Sequence, residues 1–357
     1  MKTLHINGRT GASRIVVGGR LADLGAFVPG DAPLFLITDA RVRELYGDLF
    51  PEAAVIEIGA GEDHKTLDTM AQIYGELIAA EADRSSFIMA VGGGIVCDVA
   101  GFAASTYLRG VRFGFAPTTL LAQVDAGVGG KNGVNFRNYK NMVGTFNQPE
   151  IVLCDLAILN SLPRREFLCG MAEIVKHAAI ADADLFAFLE KEAEAALERE
   201  EAVIHRLVED SVVIKAGVVS RDERESGERR KLNFGHTYGH AVEKLAGIPH
   251  GQAVSIGMAV AADLSVRRGL LPQKEADRLH TLLIRLGLPV SLAELRLSET
   301  DSPPRIPDPE TVLDAMRRDK KRSGGGIHFV LLNRLGEAIV TLISLTELEE
   351  ISHGHAA

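Results

Sequence analysis

The 357-residue sequence predicts an α/β domain built on a mostly parallel sheet, followed by a mainly α-helical domain. Three observations carry this. Short apolar runs such as Phe87-Ile88-Met89-Ala90-Val91 alternate with helical periods through the first part of the chain, the pattern of strands covered by helices on both faces. The glycines Gly92-Gly93-Gly94 stand directly between such a strand and a helix. Beyond Pro163 the strand signal gives way, and roughly 164–318 follows the helical period, punctuated by Pro272 and Pro289. The boundary falls near residue 161, which gives domains over 1–161 and 162–357.

Composition narrows the class. A hydrophobic content of 46% with 24% charged residues is that of a globular chain, long enough for two domains with substantial cores. The net charge of −9 argues against nucleic acid or an anionic membrane as partner, although a locally basic pocket stays compatible with it. Met1-Lys2-Thr3-Leu4-His5-Ile6-Asn7 alternates like a strand rather than a signal peptide, and no apolar run approaches the roughly 20 residues of a membrane span, so the expected location is the cytoplasm. Cys97, Cys154 and Cys169 are too scattered for a disulfide framework and are expected to be reduced and structural.

In chain order, Arg14–Val17 and Leu34–Thr38 are strands, the second ending at Asp39. A carboxylate at a strand's carboxyl end can hold an adenosine ribose or cap the next helix, and both readings fit Asp39. Ala54–Ile58 is a further strand, and the loop Gly59–Lys65 opens an amphipathic helix over about 66–82. After Phe87–Val91 the glycine turn lets a ligand approach the backbone at a helix N-terminus, where unpaired N–H groups suit a phosphate. Gln123–Gln148 carries Asp125, Lys131, Asn135, Lys140 and Asn141 among glycines, and reads either as a long solvated loop or as the lining for an anionic, polyhydroxylated ligand. Ile151–Cys154 is the last strand of the sheet. Asp182 opens a helix, Glu190–Glu201 is a solvated acidic face, the prolines around Ile306 make a rigid loop, and Ile327–Leu332 with Ala338–Leu342 forms a hairpin about Asn333–Gly336.

The densest chemical signal is Asn233-Phe234-Gly235-His236-Thr237-Tyr238-Gly239-His240, followed by His250-Gly251. On a helix His236 and His240 share a face one turn apart, and His250 can fold back to the same point, which is metal-ligand spacing. A carboxylate is needed to offset a divalent charge, and Glu173 in Glu173-Ile174-Val175-Lys176 is the best candidate.

Together these stretches, with Pro117-Thr118-Thr119, Val128-Gly129-Gly130-Lys131, Lys140-Asn141-Met142 and Asp319-Lys320-Lys321, closely resemble the 3-dehydroquinate synthases, in order over nearly the whole chain. The resemblance implies a dehydroquinate synthase-like fold: a Rossmann-like NAD-binding domain followed by a helical metal- and substrate-binding domain. It implies a sugar-acid phosphate as substrate, 3-deoxy-D-arabino-heptulosonate 7-phosphate, turned into 3-dehydroquinate and phosphate in the shikimate pathway. The steps are transient oxidation by NAD, phosphate elimination, re-reduction and aldol closure, with zinc or cobalt as metal. Other sugar-phosphate cyclases and metal-dependent polyol dehydrogenases are the alternatives.

Residue by residue, the resemblance implies Glu173, His236 and His250 as metal ligands, which turns His240 towards substrate. It implies Asp39, Glu62, Lys65, Gly93, Gly94, Asp98, Thr118 and Thr119 as NAD contacts, with Lys131, Lys140 and Asn141 where nucleotide and substrate meet. Asp125, Lys176, Lys215, Arg229, Asn233 and His240 become the substrate pocket, with Lys320 or Lys321 as a further cation. Arg109 matches a residue that reaches the partner subunit's site, so a homodimer is implied. The chain departs from the pattern at Asn132, where threonine is usual, and at Cys97, His177 and Gln252, the last replacing a glutamate beside a metal ligand.

Overall fold

The structure is a computed structural model that describes residues 1–30, 32–137, 139–297, 306–318, 322–323, 326–344 and 347–348. Its contacts divide the chain into two units. The first joins Met1–Leu162 to Ile204–Arg224, and the second joins Pro163–Val203 to the chain from Glu225 onward.

In the first unit the apolar runs become strands in the expected alternation: β1 (Lys2–Gly8), β2 (Gly11–Val17), β3 (Leu34–Asp39), α1 (Ala40–Tyr46), β4 (Ala54–Ile58), α2 (Leu67–Ala79), β5 (Phe87–Gly92), α3 (Gly94–Thr106), β6 (Arg112–Pro117), β7 (Lys131–Phe136), β8 (Tyr139–Phe146) and β9 (Ile151–Cys154). The main sheet is seven-stranded, in the order β1-β2-β9-β6-β5-β3-β4. Each neighbouring pair is parallel except the β1–β2 hairpin. β5 and β9 are buried along their whole length, as strands covered on both faces must be. The chain runs outward from β3 to β4 and then returns to place β5 on the other side of β3. That reversal is a topological switch point, where a doubly wound sheet opens a crevice at the strands' carboxyl ends. Asp39 ends β3 there, and Gly92 ends β5 beside it.

Gln123–Gln148 is not a long solvated loop. It folds as a π turn, Ala122–Ala126, and then as the antiparallel β7–β8 pair, with Val134 buried and Gly133 opposite Gly144. The turn-forming look of its glycines misleads, because at this pair they serve close strand approach.

The second unit is built on α4 (Arg164–Ala181), α5 (Ala183–Leu197), α7 (His236–Ala246), α8 (His250–Arg267), α9 (Gln273–Arg285) and α10 (Pro309–Arg318). It also contains β10 (Arg322–Ser323) and the expected hairpin of β11 (Gly326–Arg334) and β12 (Glu337–Ser344). Between α5 and α7, α6 spans Glu201–Arg221, and from Ile204 it belongs to the first unit. Asp182 caps α5 by accepting from the Asp184 and Leu185 N–H groups. The core gathers Tyr238 and Val242 of α7, Ile256 and Val260 of α8, and Phe329, Leu331 and Ile343 of the hairpin. All three cysteines are free and buried, and burial pushes the Cys154 and Cys169 thiols up to about 12 and about 11, so they stay protonated.

Two glycines set how closely the helices of this unit cross. A methyl group on Gly257 of α8 would collide with the Gly235 carbonyl at the start of α7, and one on Gly251 would collide with the Cys169 backbone in α4. Gly257→Ala should therefore force α7 and α8 apart and cost about 1–3 kcal/mol, read as a lower denaturant midpoint at unchanged slope.

Candidate active site

α4 carries Glu173 and Lys176 a turn apart, α7 carries His236 and His240 a turn apart, and α8 begins at His250. The close crossings bring one ligand atom each of Glu173, His236 and His250 within 4.8 Å of the others. Glu173 Oε1 lies 3.5 Å from His236 Nε2 and 3.3 Å from His250 Nε2. Donors about 2.1 Å from a tetrahedral zinc stand about 3.4 Å apart, so both carboxylate–imidazole separations fit such an ion. The other ring nitrogens are oriented as well: His236 Nδ1 is 3.1 Å from the Phe234 carbonyl oxygen and His250 Nδ1 is 3.0 Å from Glu243 Oε2. Such outer hydrogen bonds fix the tautomer that aims Nε2 inward.

Glu173 is fully buried, and its second oxygen ion-pairs with Lys176, itself 1% exposed. Burial disfavours a charged His250, but hydrogen bonds to Glu173 and Glu243 outweigh it and hold the imidazolium pKa up at about 10. The His240 ring lies 5.2 Å from that of His236 and 6.1 Å from that of His250, so all three histidines converge. His240, Glu243 and His250 form a second group of metal-ligand spacing, but His240 is exposed whereas Glu173 is enclosed. Sequence reasoning missed Glu243, although it lies seven residues after His236 on the same helix face. It also missed Glu225, which accepts a hydrogen bond from Asn233 Nδ2 at 2.5 Å and holds a left-handed φ of 58°. Arg229, on the same 3₁₀ turn as Asn233, is buried.

In the first unit, Gly93 caps α3 without a side chain, so the helix N-terminus presents backbone alone. A methyl on Gly93 would stand 3.2 Å from Thr119 Cγ2, and one on Gly94 3.1 Å from Ala126 Cβ. Thr118 donates its N–H to the Gly92 carbonyl, and Thr119 Oγ1 accepts from the Ala122 N–H. Further along α3, Asp98 pairs with the buried Lys65 at 2.5 Å, and Lys65 donates also to Asn141 Oδ1 at 2.6 Å. Burial raises the Asp98 pKa and the Lys65 ammonium pulls it back only in part. Asn135, named only as part of a polar stretch, organises this group: it donates to Glu62 Oε1 at 2.9 Å and accepts from the Asn141 N–H at 2.8 Å. Lys140 Nζ is 4.0 Å from Glu62, and Lys131 is exposed at the start of β7. Lys215 ion-pairs with Asp125 and donates to its carbonyl oxygen at 2.5 Å. Asp39 Oδ1 caps α1 by accepting from the Val42 N–H at 3.0 Å.

Arg109 stands apart from these groups. It lies exposed on a tip where Leu108, Arg109 and Gly110 all have positive φ. Lys320 and Lys321 lie outside the described residues. Of the departures from the expected pattern, Asn132, Cys97 and His177 are buried and Gln252 is half-buried. Among the described residues no helix is long and apolar enough to cross a membrane.

Comparison with known proteins gives a consistent set of relatives. The family model described as 3-dehydroquinate synthase N-terminal matches residues 55–169, and that described as 3-dehydroquinate synthase C-terminal matches residues 170–322. The chain is 41% identical over 355 residues to the 3-dehydroquinate synthase of Dehalococcoides mccartyi, covering 95% of each protein. Among solved structures it is similar to 2-epi-5-epi-valiolone synthase from Streptomyces hygroscopicus with NAD+ and Zn2+ bound, at TM-score 0.86 and 29% identity over 98% of each chain. It is also similar to 2-deoxy-scyllo-inosose synthase complexed with carbaglucose-6-phosphate, NAD+ and Co2+, at TM-score 0.83 and 28% identity over 99% of this chain and 100% of the other.

Two outcomes follow from the geometry. Glu243→Gln should weaken zinc binding by about 10–100-fold in a chelator competition, because His250 loses its orienting carboxylate, whereas His240→Ala should keep its zinc. The His250 imidazolium, with its pKa at about 10, stays charged at neutral pH, so zinc must displace that proton and its affinity should rise with pH up to about 10, with proton release seen by calorimetry in buffers of different ionisation enthalpy.

Proposed function

The chain belongs to the 3-dehydroquinate synthase family, and on that premise we propose that it converts 3-deoxy-D-arabino-heptulosonate 7-phosphate into 3-dehydroquinate and phosphate, as an NAD- and zinc- or cobalt-dependent cyclase of the shikimate pathway. The observation that carries the reading is Lys176 buried against Glu173 in the carboxylate–imidazole triangle. A cation locked beside a metal site serves a substrate with an anionic group, which a simple polyol lacks.

We assign the nucleotide to the first domain and the metal to the second. Glu173, His236 and His250 would hold the ion, and the donor set of one carboxylate and two imidazoles suits zinc or cobalt. When bound, NAD would accept and return a hydride while the ion acidifies the hydroxyl being oxidised. Gly93 and Gly94 offer backbone N–H groups to the pyrophosphate, with Thr118 and Thr119 alongside, and Asp39 is the candidate for the ribose while also capping α1. The Glu62–Asn135–Asn141–Lys65–Asp98 network fixes the polar residues on this side before any ligand arrives.

Lys176 and Arg229, both buried, would hold phosphate or carboxylate oxygens. Asn233, fixed by Glu225, would position a hydroxyl, and exposed His240 would move protons at the substrate. In the first unit, Lys131 and the Asp125–Lys215 pair are further candidates for polar contacts to the ligands. The outward Arg109 tip supports a role in a second copy's site, hence a homodimer, and the relatives' biosynthetic activity supports the cytoplasm.

The test is phosphate release from 3-deoxy-D-arabino-heptulosonate 7-phosphate with catalytic NAD and zinc. Phosphate and carbocycle should form one to one, without NADH accumulating, and chelation should abolish both. Turnover of glucose 6-phosphate or sedoheptulose 7-phosphate instead would assign a different cyclase, and steady NADH formation from a polyol would overturn the reading.

A further inference from the structure

Asn132 follows Lys131 at the start of β7 and is 4% exposed. Its Nδ2 donates to two backbone carbonyls at once: Gly130 O at 3.2 Å and Asn147 O at 2.9 Å. The first belongs to the peptide that leads into Lys131, and it also accepts from the Asn147 N–H at 2.8 Å. Gly129 and Gly130 both hold positive φ, 103° and 68°, so the turn that delivers Lys131 is made of the two most permissive residues in the stretch. Left to themselves, two glycines would let that peptide plane rotate. The carboxamide restrains it.

The restraint is anchored on α3. Asn147 Nδ2 donates to Ser105 Oγ at 3.0 Å, and Ser105 Oγ donates to the Gly101 carbonyl at 2.6 Å. Asn132 Oδ1 faces Gly101, where any side chain would collide with it, and has no hydrogen-bond partner in the described structure. The amide orientation is set by its neighbours, since the flipped side chain would aim its oxygen at two carbonyl oxygens. Threonine has one hydroxyl donor and could serve only one of the two carbonyls.

We propose that Asn132 is a positioning residue for Lys131, tying the Gly129-Gly130 turn to the helix whose N-terminus is assigned to the nucleotide. The inference rests on the reading of Lys131 as a substrate- and nucleotide-facing group.

The experiment measures kcat, KM and melting temperature by phosphate release for Asn132→Ala, Asn132→Thr, Lys131→Ala and the Lys131→Ala/Asn132→Ala double variant. Asn132→Ala should lower kcat by about tenfold or more per folded enzyme with KM little changed. Asn132→Thr should fall between it and the parent. In the Lys131→Ala background, removing Asn132 should cost nothing further in kcat, since the lysine it positions is gone. An equal loss in both backgrounds, a parental kcat for both Asn132 variants, or a loss explained by reduced folded protein alone would overturn the inference. A parental kcat for Lys131→Ala would overturn the reading of Lys131 itself, and with it the inference. Asn132→Thr keeps one donor, so the comparison can be made even where the alanine variant fails to fold.

Discussion

The second unit depends on burying a carboxylate. Glu173 sits in the middle of α4 with no exposure, and an isolated ionised carboxylate there would cost far more than a small domain can spare. The surrounding residues offset it with Lys176 on one oxygen and two imidazoles on the other. Glu243 then holds the far side of His250, so the cluster sets two carboxylates against an ammonium and an imidazolium. A divalent ion that displaces the His250 proton adds one net positive charge, a modest change that keeps the carboxylate compensated throughout.

That arrangement is possible only because backbone meets backbone. Glu173, His236 and His250 come from three helices, and the carboxylate is short compared with the usual 8–10 Å between helix axes. Gly251 against Cys169 and Gly257 against Gly235 remove the side chains that would hold those axes apart. Gly239, Gly251 and Gly257 are thus packing devices, Gly247 is a turn device that ends α7 with a φ of 66°, and Gly235 is both, with its φ of 78° starting α7.

Much of this was legible in the sequence. The parallel sheet was readable because strands buried on both faces write continuous apolar runs, and β5 with its glycine turn is the clearest of them. The His236–His240–His250 spacing was informative by itself, whereas Glu173, one of 48 acidic residues, was singled out by its motif and by the resemblance. What was not legible has a common cause. Glu243 on α7, Glu225 before the Arg229 turn and Asn135 on β7 are ordinary polar residues, and only their partners in space give them work: His250, Asn233, and the Glu62–Asn141 pair. The β7–β8 pair was hidden for a different reason, since glycine and asparagine signal turns in sequence but here permit close strand approach. The grouping of Ile204–Arg224 with the first unit is a tertiary fact as well, made by contacts such as Lys215 with Asp125 and Glu223 with the Arg9 and Thr10 N–H groups.

The electrostatics also say how an acidic chain can serve an anionic substrate. With a net charge of −9, the long-range field opposes the approach of a phosphorylated acid, so steering cannot supply the affinity. Short-range cations are present instead: Lys65 and Lys215 in the first unit and Lys176 and Arg229 in the second are all buried, where water screens little. Three of them already face a carboxylate, Lys65 with Asp98, Lys176 with Glu173 and Lys215 with Asp125. Such pairing keeps the cations charged and oriented at no risk of an uncompensated buried charge.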